Sequence, residues 1–144
     1  MMDRLGEGQP LDIVLAEDNP DLAQLNQLVL ESAGHNVEIT SDGASTLAAV
    51  QNNDPDLLIL DIQMPHGDGL DVLEELRAAP ATAEQPVMVM SNTDLTAGEE
   101  RRLVRLGVID LLAKWKAEPK LLVGWVRGWA AGRISRVPGT RKRS

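Results

Sequence analysis

The sequence has no cysteine, no phenylalanine and no tyrosine, and three tryptophans are its whole aromatic content. Without cysteine there is no disulfide, no thiolate nucleophile and no thiolate metal ligand, which removes one class of enzyme and fits a reducing compartment. No run approaches the roughly 18 consecutive apolar residues of a membrane span, and Met1 to Pro10 lacks the apolar segment of a signal peptide. The protein is therefore expected to be soluble and cytoplasmic, with no membrane partner. Acidic residues are missing after Glu118, where Arg133, Arg136, Arg141, Lys142 and Arg143 gather, yet the formal charge of the whole chain is −8. An acidic body with a short basic end argues against a nucleic-acid partner, and the basic end reads as a solvated terminus. Histidine is scarce as well. His35 and His66 have no partner at ligand spacing, so both read as surface residues.

What is there is regular alternation. A chain of 144 residues can bury a core of its own, and one domain is expected over residues 11–132, between a flexible arm, 1–10, and the basic tail, 133–144. Asp12 to Ala16 is a short β-rich run that stops on Glu17-Asp18, after which Asn19-Pro20 supplies an N-cap and a first-turn proline. Leu22, Leu25 and Val29 then recur at helical spacing up to Gly34. Val37 to Thr40 alternates like an edge strand, and Asp42 can cap a helix carrying Leu47 and Val50. Leu57 to Leu60 is too short for a helix and has no polar alternation, as expected of a strand buried on both faces; it ends on Asp61.

The same pattern repeats twice more. A helix carrying Leu70, Val72, Leu73 and Leu76 leads to a strand over Pro86 to Met90, which ends on Ser91. A helix from about Thr96 to Leu106 closes at Gly107, a strand over Val108 to Leu112 stops just short of Lys114, and Pro119 opens a last helix. Leu121, Trp125 and Trp129 share a face there and read as core, with Gly124 and Gly128 making room for the rings. Alternating strands and helices require a parallel sheet with helices on both faces. With the first and third strands adjacent, Glu17, Asp18 and Asp61 share one sheet edge.

Three acids so placed repel one another or hold a cation. With no histidine or cysteine nearby the ligands are hard oxygens, which select Mg²⁺, or Mn²⁺, over Zn²⁺. A carboxylate beside such an ion is an arrangement for phosphoryl transfer, and Lys114 and the Ser91 hydroxyl could supply a cation and a hydrogen bond at neighbouring strand ends.

Glu17-Asp18, Asp61 with Met64-Pro65 and Gly69, Ser91 and Lys114, in this order and each at a strand end, resemble the receiver domain of two-component response regulators, over about Asp12 to Ala131. The resemblance implies a flavodoxin-like sheet of order 2-1-3-4-5 with five helices. It implies that Asp61 accepts a phosphoryl group from a phosphohistidine on a sensor kinase or histidine phosphotransfer protein. Asp18, Asp61 and the Gln63 carbonyl would ligate Mg²⁺, with Glu17 acting mostly through water, while Lys114 and Ser91 would contact the phosphoryl oxygens. Gln63 and Thr93 would border the path of hydrolytic water. Two positions depart from the family: Leu111 stands where an aromatic residue is usual, and Trp115 replaces the proline after the lysine. A cis bond before a non-proline residue costs about 3–4 kcal/mol, so the Lys114-Trp115 bond is expected to be either cis and strained or trans with a remodelled loop. Trp115 is expected to be partly exposed and to serve a partner or a homodimer formed through the fourth helix, fifth strand and fifth helix, the alternative being that it packs against the last helix. A stand-alone receiver, with its output passed through another protein, is expected. Competing readings are a degenerate receiver that binds without phosphorylation and a haloacid-dehalogenase-type phosphatase. The latter needs a second aspartate where this chain has Gln63.

Overall fold

The computed structural model describes residues 10–64, 69–91, 95–113 and 119–135. Strands and helices alternate: β1 (Asp12–Ala16), α1 (Pro20–Ser32), β2 (Asn36–Thr40), α2 (Gly43–Asn53), β3 (Leu57–Asp61), α3 (Gly69–Ala78), β4 (Val87–Ser91), α4 (Ala97–Arg105), β5 (Asp110–Ala113) and α5 (Pro119–Ser135). The five strands form one parallel sheet of order β2-β1-β3-β4-β5. This is the flavodoxin-like order expected from the sequence.

Side chains alternate across each strand, so the two sheet faces carry separate cores. Val14, Leu58, Leu60, Val87 and Val89 pack under α2, α3 and α4, with Leu73, Leu76 and Leu103 among their partners. Ile13, Leu15, Ile59, Met88 and Met90 pack under α1 and α5 against Leu30, Leu122 and Val126. Every residue of β3 and β4 is buried, which is why both read as unbroken apolar runs.

Local signals set the helix ends. Asn19 accepts from the Leu22 amide at 3.1 Å with Pro20 opening α1, Asp42 accepts from the Ser45 amide at 2.8 Å, and Thr96 and Glu99 form a reciprocal capping box on α4. Helices α1 and α4 close in the same way. The Gly34 amide donates to Glu31 and the His35 amide to Leu30; the Gly107 amide donates to Val104 and the Val108 amide to Leu103. Each motif needs a left-handed residue, supplied by Gly34 at φ 104° and Gly107 at φ 71°.

Several expectations are corrected. Helix α1 buries Ala23, Asn26 and Leu30, while Leu25 and Leu28 are exposed. Helix α5 buries Leu122 and Val126, with Trp125 and Trp129 half-buried on its flank and Leu121 exposed. The Trp125 indole N–H donates to Asp110 Oδ2 at 2.8 Å, holding the polar edge of the ring outside the core. Gly124 and Gly128 have open space where a Cβ would stand, so they make no room for rings. Strand β5 starts at Asp110, because the closing turn of α4 takes up Val108. His35 is buried, and its Nδ1 accepts from the Leu11 amide at 3.1 Å. His66 lies outside the described residues.

Candidate metal centre

Strands β1 and β3 are hydrogen-bonded neighbours, pairing Ala16 with Leu60, so the residues that follow each pair emerge side by side at the carboxyl edge. Glu17, Asp18 and Asp61 each present a carboxylate oxygen there, and these oxygens lie within 4.8 Å of one another. Glu17 and Asp61 are buried, at 1% and 0% exposure, whereas Asp18 is exposed. Two carboxylates at such a separation repel by about 3 kcal/mol at an effective dielectric of about 20, and burial of two of the three strengthens the demand for a compensating cation.

Backbone amides orient the acids. Gln63 donates its N–H to Asp61 Oδ1 at 2.9 Å, and Asn19 donates to Glu17 Oε2 at 3.0 Å. The Glu17 amide itself donates to the Thr40 carbonyl at 2.9 Å, tying the acidic turn to the end of β2. Gly69 closes the loop after β3. Its amide donates to the Ile62 carbonyl at 2.9 Å, and a Cβ at this position would stand 2.4 Å from Ile62 Cα and 2.9 Å from the Asp61 carbonyl oxygen. Any side chain at 69 would push against the backbone that carries Asp61.

The other residues singled out in the sequence fall as follows. Ser91 ends β4, is 2% exposed and stands one residue beyond Met90, the register partner of Asp61. Ala113 is the register partner of Ser91 and immediately precedes Lys114 in the sequence. Lys114 itself, Trp115 and Thr93 lie outside the described residues. Gln63 is exposed, with its backbone bound to Asp61. Leu111 is half-buried against the core beneath α2, α3 and α4. The part played by Thr40 and Gly69 is not read from periodicity, because a carbonyl anchor and a close backbone approach leave no hydropathy signal.

The donor set is all oxygen. His35, the one histidine among the described residues, lies at the far end of β1 against Leu11. Three carboxylates without nitrogen or sulfur fit Mg²⁺ or Mn²⁺, which keep several waters beside a few protein oxygens.

A family model of the response regulator receiver domain matches residues 13–124. The chain belongs to the response-regulator receiver domain family. Among curated relatives, the DNA-binding response regulator MtrA of Mycolicibacterium smegmatis is 33% identical over 116 residues, covering 80% of this chain and 48% of MtrA. This receiver spans less than half the length of the curated relatives it matches. Among solved structures, the Mn²⁺-bound response regulator Rcp1 is 28% identical at a TM-score of 0.70, covering 89% of this chain and 97% of Rcp1. The phosphorylated cyanobacterial phytochrome response regulator RcpA is 28% identical at a TM-score of 0.72, covering 88% of this chain and 96% of RcpA. The chain is thus a receiver, a signalling domain of two-component systems, whose acidic cluster has the composition of a divalent-cation site.

Proposed function

We propose that Asp61 is the phosphoacceptor of a signalling switch driven by a phosphohistidine donor, on a sensor histidine kinase or a histidine phosphotransfer protein. The observation that carries this reading is the convergence of Glu17, Asp18 and a fully buried Asp61 within 4.8 Å at the carboxyl edge of the sheet. In the transfer an Asp61 carboxylate oxygen attacks phosphorus, the P–N bond to the donor imidazole breaks and an acyl phosphate forms. The Gln63 amide fixes the rotation of the Asp61 carboxylate before attack. Glu17, Asp18, Asp61 and the Gln63 carbonyl would hold a divalent cation, which when bound supplies positive charge to the phosphoryl oxygens. Lys114 and Ser91, following β5 and ending β4, pair with those oxygens and read the modified state. Gln63 and Thr93 border the path of the water that reverses it. Chains related to this one by sequence include a receiver solved with Mn²⁺ and another solved phosphorylated, and both support the reading.

On this reading the receiver cycles through one covalent state per stimulus and is not a turnover enzyme. It acts in the cytoplasm, and the described residues contain no helix long and apolar enough to cross a membrane. Its output passes to a protein target over the face made by α4, β5 and α5, which would also form a homodimer. Leu111 has no ring to swing, so Trp115 carries the aromatic part of that surface. A phosphatase of the haloacid-dehalogenase type fits less well, because Gln63 stands where that chemistry needs a second aspartate. The test is labelling with a small phosphodonor and Mg²⁺, followed by intact mass. One phosphoryl group per chain is expected in the parent and none in Asp61→Asn. Labelling that persists in Asp61→Asn, or catalytic turnover of a phosphomonoester, overturns the assignment.

A further inference from the structure

One buried polar chain lies beside the acidic turn and has no place in the chemistry above. Thr40, the last residue of β2, and Thr46, in the first turns of α2, are 5% and 0% exposed, and their hydroxyl oxygens are 2.7 Å apart. Thr46 Oγ1 also lies 2.7 Å from the Asp42 carbonyl oxygen, which can only accept. A hydroxyl has one hydrogen. Thr46 therefore donates to Asp42, and Thr40 must be the donor to Thr46, which orders the chain as Thr40 to Thr46 to Asp42. The carbonyl of the same Thr40 accepts from the Glu17 amide at 2.9 Å. A continuous path of hydrogen bonds thus runs from the N-cap of α2, through the end of β2, to the turn that carries Glu17 and Asp18.

Among the described residues β2 is an edge strand, paired with β1 on one side alone. No described strand lies on its outer side to fix the height of its last residue, and α2 supplies that constraint through two hydroxyls. Buried hydroxyls cost free energy unless bonded, so the pair is held shut by the loss that opening would bring. We propose that Thr46 is a positioning residue for the metal centre: it locks Thr40, whose carbonyl sets the height at which the Glu17-Asp18 turn meets Asp61. This rests on the reading of the three carboxylates as a divalent-cation site. The bland alternative is that the hydroxyl of Thr46 merely satisfies the carbonyl four residues earlier in its own helix, a common local bond with no reach beyond α2.

The two are separated by Mg²⁺ titration calorimetry on the full chain, with amide exchange at Glu17 and thermal melting in chelator as further readouts. Thr46→Val removes the acceptor of the Thr40 hydroxyl, and Thr46→Ser restores it. Thr40→Val is the gentler variant, since Thr46 keeps its bond to Asp42 and no donor is left buried without an acceptor. Positioning predicts that both valine variants weaken Mg²⁺ binding by about tenfold, the range found for groups that orient metal ligands, with faster exchange at the Glu17 amide than at strand β3. Thr46→Ser should return both to parental values. A lower melting temperature in the valine variants with Mg²⁺ affinity within about twofold of the parent overturns the proposal, because the hydroxyls then serve the fold alone. A parent that binds no Mg²⁺ overturns the cation-site reading instead, and the proposal falls with it.

Discussion

The centre of the sheet and its β5 flank are built to different standards. In β1, β3 and β4 every residue from Ile13 to Ala16, from Leu57 to Asp61 and from Val87 to Ser91 is buried, and each of these strands is paired on both sides. The acids emerge from this part, oriented by backbone amides. On the flank, β5 has four residues, Asp110 is exposed and Leu111 and Leu112 are half-buried. Helix α4 buries Leu103 and leaves Val104 at 75% exposure. Side-chain bonds hold this region: Arg77 to the end of α4, Arg102 to Glu74 at 2.8 Å, and Trp125 to Asp110. Elements with few buried contacts open or shift at the lowest cost. Asp61 is therefore fixed by the part of the fold that resists change, and the flank is the part that shifts at the lowest cost.

The hardest way to break this contrast is to strike the centre. Gly69→Ala forces a methyl group against Ile62 Cα and the Asp61 carbonyl, both backbone atoms that cannot rotate away. It should cost about 3 kcal/mol of folding stability, at the upper end for overpacking, and displace Asp61 enough to weaken Mg²⁺ binding. Urea denaturation and Mg²⁺ titration check the two effects, and parental values in both would mean that the backbone at Asp61 and Ile62 yields to the methyl group.

Next in size is the anchor of the flank. The Arg77 guanidinium donates to the carbonyls of Leu106, Ala83 and Gln85 at 2.6, 3.0 and 2.9 Å, joining α3, the end of α4 and the approach to β4. Its burial pushes its pKa below the usual arginine value, while Glu84 acts in the opposite sense. Arg77→Met keeps the aliphatic stem and removes the donors, which should cost about 2 kcal/mol. If the flank is the looser part, hydrogen exchange should accelerate in α4 and stay slow in β3. Equal acceleration in both would erase the distinction.

Much of the central region is legible in the sequence because its signals are local. Apolar runs locate β1, β3 and β4, and Asn19, Asp42 and Thr96 mark helix starts within a residue. Glu17, Asp18 and Asp61 come together because two strands end on acids. The errors have physical causes of their own. Helix α1 offers two neighbouring stripes of plausible spacing, and the buried one contains Asn26, which hydropathy demotes. The large tryptophans draw the reading of α5 to Trp125, whereas Leu122 and Val126 fill the core. The role of His35 depends on an amide 24 residues away, at Leu11, a distance no periodicity spans.

His35 supplies a smaller, pH-dependent test at the opposite end of β1 from the acids. Burial, with a lesser contribution from Arg127, lowers its pKa from the ordinary 6.5. The native state therefore holds the neutral ring, whose Nδ1 must remain unprotonated to accept from the Leu11 amide. Well above pH 6.5 neither folded nor unfolded chain protonates this group, and its contribution is complete. As pH falls, the unfolded chain takes up the proton first, so stability declines through the folded pKa. His35→Gln should flatten this part of the pH profile, as followed by urea denaturation across the acid range. An unchanged slope in the variant assigns the dependence to other groups.

The smallest effect belongs to the outer edge of the flank, and it is the most discriminating. Asp110 Oδ2 accepts from the Trp125 indole at 2.8 Å while Oδ1 accepts from the Leu111 amide at 2.8 Å, so one exposed carboxylate clips α5 to the first residues of β5. Trp125→Phe keeps an aromatic body against the core and deletes the donor. In an exposed bond the lost stability should be about 0.5 kcal/mol, near the limit of a denaturation experiment, and Mg²⁺ affinity should not move because the clip lies away from the carboxyl edge. Binding of the target, or self-association through α4, β5 and α5, should change by more than stability does, since the tilt of α5 shapes that face. Nearly equal stability with altered association would place signalling on the loosely held flank. Altered Mg²⁺ affinity would show that the flank and the centre are mechanically one body, and the contrast between them would have to be given up.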